Sequence, residues 1–66
     1  NLNEIDIDIE LIKRMVEWDR RNRVLEDWKF KVMQDVAIGL KPLTEKLKWG
    51  FKLNLKLLIL KGFDEL

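Results

Sequence analysis

The sequence predicts an all-α fold: a small bundle of three helices near residues 3–19, 22–39 and 42–61, self-associating to complete its core. Three observations carry this reading. Apolar residues recur at helical spacing through much of the chain. Helix-start and helix-stop residues stand at the ends of those stretches. A chain of 66 residues buries only about 60% of its unfolded surface, so a single copy has a marginal core. It has no Cys or His, hence no disulfide and no Cys or His zinc ligand to staple that core, which leaves association as the common remaining route.

The first helix opens with Asn3 as cap and Asp6 three residues on, with Leu2 and Ile7 placed as a hydrophobic staple. The early acids Glu4, Asp6, Asp8 and Glu10 suit the positive end of a helix dipole. At about 100° per residue, Asp6, Glu10, Lys13 and Glu17 form one polar stripe, while Ile5, Ile9, Ile12 and Val16 share an apolar face. Ile7, Leu11 and Trp18 widen that face. A strand competes for the same residues, because Ile5, Ile7, Ile9 and Leu11 alternate with Asp6, Asp8 and Glu10.

A break is expected near Asp19–Asn22, where the apolar phase is lost, and Asn22 is the expected cap of the second helix. A continuous helix at the heptad period is the alternative, with Leu11, Met15, Trp18, Asn22, Leu25, Val32 and Val36 on its seam. In the second helix, Leu25, Trp28, Val32 and Val36 form the apolar face, and Phe30 and Ile38 fall on the polar side. Gly39 can end that helix and Pro42 can start the next.

The third segment places Lys41, Glu45, Lys48, Lys52 and Lys56 on one helical stripe, yet Gly50 interrupts it. Beyond Gly50, Leu53, Leu55, Leu57 and Ile59 alternate with other residues up to Gly62, as a strand would. If both termini were strands, the fold would be α+β, with the central helices covering a small sheet. Each glycine is expected to be a cap or a turn.

Composition narrows the chemistry. With no Ser, Cys, Tyr or His, and Thr44 as the single Thr, the usual nucleophiles and the triads built on them are missing. Paired carboxylates could act as acid and base, but they need a pocket that so small a core has little room to provide. The acids at 4–10 lack the glycine and distal glutamate of a calcium loop. The expectation is a non-enzyme with no cofactor, no metal and no small-molecule substrate.

The net charge is +1, but the charges segregate: residues 41–61 hold six Lys and one acid, and every Arg lies between Arg14 and Arg23. Intramolecular pairing of the acidic and basic segments is one reading of that pattern, and solvated faces are the other. Arg20, Arg21 and Arg23, flanked by Trp18 and Trp28, are candidate anion contacts. The interleaved Glu17, Asp19, Glu26 and Asp27 cancel most of their field, which argues against nucleic acid. Lys48, Lys52 and Lys56 are a second candidate set, within a Lys-, Leu- and Trp-rich stretch of the kind that lies on anionic membranes.

No stretch approaches the roughly 18 apolar residues of a membrane span, and the acidic start is unlike a signal peptide, so a soluble chain is expected. It begins with Asn1, as a processed, excised or engineered chain would.

The clearest functional signal is a surplus of large apolar side chains. Trp18, Trp28, Phe30, Ile38, Trp49, Leu58 and Leu60 are the expected interface residues. The function expected from the sequence is protein–protein association, first of all as a homodimer. Membrane-surface or nucleic-acid binding through the Lys-rich or Arg-rich segment is the alternative. A designed or selected miniprotein without a biological role is a third reading, suggested by the narrow residue alphabet.

Overall fold

The computed structural model describes residues 4–66, and among these every regular element is helical. Three helices follow one another: α1 (Ile9–Asn22), α2 (Asp27–Ala37) and α3 (Glu45–Leu60). The radius of gyration is 10.6 Å, close to the roughly 10.8 Å expected for a collapsed chain of this length. The α+β alternative is therefore not the fold among the described residues.

Helix α1 starts later than the sequence suggests. Asp8 is extended, and its side chain accepts a hydrogen bond from the Leu11 amide at 2.9 Å, so it is the cap. The expected cap Asn3 and the staple residue Leu2 lie outside the described residues. Ahead of the cap the chain does alternate: Ile7 is buried, Ile5 is half-buried, and Asp6 and Asp8 are exposed. The strand-like period thus reflects an irregular lead-in whose Ile7 enters the core, without a ladder partner among the described residues.

At its other end α1 runs on through Asn22, past the expected break. Asn22 does not cap α2; its side-chain amide donates to the Trp18 carbonyl at 2.8 Å. The reversal comes at Arg23, in the left-handed conformation at φ 53. Asp19 makes this turn possible. Its buried carboxylate accepts from the amides of Val24 at 2.7 Å and Leu25 at 3.2 Å, satisfying donors the turn would otherwise strand. A continuous heptad helix is excluded by this turn.

Helix α2 ends at Ala37 in a Schellman motif. Gly39, at φ 86, places the Leu40 amide on the Asp35 carbonyl at 2.8 Å and its own amide on the Val36 carbonyl at 3.1 Å. The turn read from Gly39 and Pro42 is therefore present, but Pro42 lies in the loop, and Thr44 caps α3 by accepting from the Leu47 amide at 3.1 Å.

Helix α3 passes through Gly50 without a break, and Gly62, at φ 115, closes it in a second Schellman motif. The residue after Gly62, Phe63, is buried and meets Trp18 edge-on at 5.7 Å between ring centroids. Glu65 then returns to α1, where Arg14 donates to its carbonyl at 2.8 Å and Arg21 pairs with its carboxylate at 3.7 Å.

The core is built around α1, whose Leu11, Ile12, Met15, Val16 and Trp18 are buried. Met33 and Val36 of α2 and Phe51, Leu55 and Leu58 of α3 complete it, with Ile7, Leu25 and Phe63 closing its margins. Helix α1 packs on both other helices, whereas α2 and α3 approach each other little. That asymmetry leaves an open groove between α2 and α3.

Candidate docking surface

The groove between α2 and α3 encloses about 300 Å³. Trp28 and Val32 form its α2 wall, Leu47 and Leu53 form its α3 wall, and Phe51 reaches it from the core. Trp28 and Leu53 are 63% and 69% exposed, so the two walls are largely uncovered in a single copy. The lining contains two lysines, Lys29 and Lys46, and no acid.

The apolar surface continues along α3. Trp49 and Leu60 are 70% and 76% exposed, and both lie within about 40° of Leu53 on the helical projection. Lys52 sits over the Trp49 ring at 5.6 Å. Among the described residues Lys46, Lys52 and Lys56 form no ion pair. The outer face of α3 therefore combines apolar side chains with lysines outside ion-pair range of any carboxylate, while Asp6 and Glu45 share a hollow with Lys52 and Trp49 at its edge.

The seven interface candidates separate into four groups. Trp28, Trp49 and Leu60 lie on this face or at its edge. Ile38 is exposed but lies on the far side of α2, beside Val16 and Ala37. Trp18 and Leu58 are core residues, buried by Phe63 and by the packing of α3 on α1, which corrects the expectation that they would be surface anchors. Phe30 is half-buried against the core, with the Arg20 guanidinium over its ring at 5.5 Å. Leu53, outside these seven, is the exposed residue of the α3 wall and has no signal in the sequence that sets it apart from the other leucines of α3.

The candidate anion contacts also divide. Arg20 pairs with Glu17 at 3.4 Å, Arg21 with Glu65 at 3.7 Å and Arg23 with Asp27 at 3.8 Å. The Arg cluster is thus occupied by this chain's own carboxylates and splits over two sides of α1. Arg20 and Arg23 line one hollow, while Arg21 reaches the C-terminal segment. Lys48 lies between Glu45 at 3.7 Å and Asp6 at 4.0 Å, and its pairing with Asp6 is the one ion pair among the described residues that joins the acidic N-terminal segment to the Lys-rich helix. Lys52 and Lys56 remain without acidic neighbours in ion-pair range.

Two buried carboxylates lie away from the groove. Asp19 serves the turn after α1, and Asp35 accepts from Lys31 at 2.9 Å with Lys41 nearby at 3.8 Å. Among the described residues no three carboxylates gather with the geometry of a metal site, and no helix is long and apolar enough to cross a membrane.

No known protein family matches this chain, and no curated protein and no solved structure does so either.

Proposed function

We propose that this chain is a non-catalytic protein-association module and that the α2–α3 groove, with the adjoining outer face of α3, is its docking surface. The observation that carries the reading is the exposure of Trp28 and Leu53 on opposite walls of one apolar groove. Large side chains left in water on both sides of a cleft are a cost that a partner removes. A concave site suits inserted side chains from another protein better than the flat surface of a bilayer.

A second copy is the simplest partner, but its geometry is constrained by charge. A two-fold axis through the α3 face brings Lys46, Lys52 and Lys56 towards their own counterparts, and like charges in register oppose the pairing. Self-association through this face is therefore expected to be weak and to strengthen with salt, as screening relieves the repulsion.

The test has two arms. Sedimentation equilibrium from micromolar to millimolar concentration reads self-association. Tryptophan fluorescence, titrated with a panel of synthetic amphipathic helical peptides of acidic, neutral and basic charge, reads docking of another chain. A complex in either arm that is lost in Leu53→Ala supports the proposal. A strict monomer whose fluorescence no peptide shifts at about 1 mM, the weak limit of useful affinity, overturns it.

A further inference from the structure

Gly50 has no role inside the chain. It lies in the middle of α3, where glycine weakens a helix relative to alanine. It makes no turn, since α3 runs straight through it, and a Cβ added there meets nothing within 4 Å. Neither backbone conformation nor internal packing therefore requires a glycine at this position. What Gly50 does is open the groove, whose lining it forms together with Leu47, Leu53 and Asn54. A missing side chain at the middle of a helix face lets a second helix cross at short interaxial distance.

The groove also has a charge. Lys29 and Lys46 line it, Lys52 and Lys56 lie further along α3, and no acid joins them in the lining. Of these four only Lys29 has a carboxylate in range, Glu26 at 3.6 Å. Asn54, one turn beyond Gly50 and 8% exposed, is the only uncharged polar side chain in the lining and offers both an amide donor and an acceptor at the groove's base.

We infer that the groove takes an acidic amphipathic helix of another protein, which crosses α3 at Gly50, sets its apolar side chains between Trp28 and Leu53, and presents carboxylates to Lys29, Lys46 and the lysines beyond. This inference rests on the docking reading above and adds the chemistry of the partner. A helix of about 16 residues is roughly 24 Å long, as long as α3 itself. Charge complementarity chooses it over a second copy, whose matching face is also basic.

The experiment uses the full chain and two synthetic 16-residue helices with the same apolar face. One carries Glu on its flanks and the other carries Lys. Calorimetric titration in low salt is expected to give at least tenfold tighter binding of the Glu peptide, with the ratio falling towards one as salt is raised. Gly50→Ala is expected to favour folding about fivefold through helix propensity, while weakening the Glu peptide at least tenfold. A merely structural change does not make the chain more stable and less able to bind.

Equal affinity for both peptides, or full affinity in Gly50→Ala, overturns the inference while leaving the docking surface in place. Absence of binding by both peptides overturns the inference, and with a strict monomer in sedimentation it overturns the docking reading as well. Tighter binding to phosphatidylserine vesicles than to the Glu peptide, unchanged in Gly50→Ala, assigns the face to a membrane surface and also overturns it.

Discussion

Asp19 concentrates more structural consequence than any other polar residue here. Its carboxylate holds the amides of Val24 and Leu25, and its carbonyl holds the Arg23 amide at 2.7 Å. Asp19→Ala leaves the part-buried Val24 amide and the buried Leu25 amide without acceptors, and the expected loss is roughly 1–3 kcal/mol, measured by urea unfolding. Asp19→Asn keeps one side-chain acceptor and is expected to lose less. Arg23 in the same turn is a non-glycine residue at φ 53, a conformation that disfavours a Cβ by about 1–2 kcal/mol. Arg23→Gly relieves that strain against a higher backbone entropy, for a net gain of about 0.5–1 kcal/mol. A variant no more stable than the parent shows that the turn is not strained.

Sequence patterns at this scale were unevenly informative. Gly39 and Gly62 stood where chain reversal needs positive φ, and both have it. Gly50 looked the same on paper but is helical, because a glycine inside a helix is tolerated once the flanking turns pack. Phe51, Leu55 and Leu58 supply that packing.

Among the elements, α1 is central because both other helices rest on it, and the C-terminal segment returns to it. Phe63 joins these parts: it follows Gly62 in the cap of α3 and packs on Trp18 of α1. Phe63→Ala removes a buried ring and is expected to cost about 3 kcal/mol and to expose the last residues to carboxypeptidase. Unchanged stability and digestion show that the segment is not tied to α1.

The phase of α2 is only partly legible in its helical projection. Leu25, Trp28, Val32 and Val36 share one face there, although Trp28 is also an interface candidate. Leu25 precedes the helix and is buried from the loop, so its spacing carries no information on the phase of α2. Met33 and Val36 define the true inner face, and Trp28 is left at the groove. The run Leu57–Leu60 had the opposite difficulty: four consecutive apolar residues have no phase, and only packing on α1 selects Leu58 as the buried one.

Across the whole molecule, three helices form one core but only two of the three helix pairs close. The surplus of apolar side chains was legible in the composition, and the location of the surplus was not. It follows from the weak approach of α2 to α3, which depends on loop geometry rather than on residue type. Because Trp28 and Leu53 contribute little to the core, Trp28→Ala and Leu53→Ala are each expected to change unfolding free energy by no more than about 0.5 kcal/mol. Trp18→Ala, by contrast, is expected to cost about 3 kcal/mol or more. Urea unfolding of the three variants checks this contrast, and a large loss in Trp28→Ala shows that the groove is part of the core.

The three indoles also report on docking, since they lie in three different settings of one chain. Their N–H signals in a proton–nitrogen NMR correlation spectrum, followed during titration with the acidic helical peptide, test the docking surface most directly. The Trp28 signal is expected to shift most, Trp49 less, and the enclosed Trp18 least. Movement of Trp18 ahead of Trp28 contradicts the assignment of the α2–α3 face as the place where a partner binds, and three unmoving signals in the presence of excess peptide, from a chain that also stays a strict monomer in sedimentation, do the same.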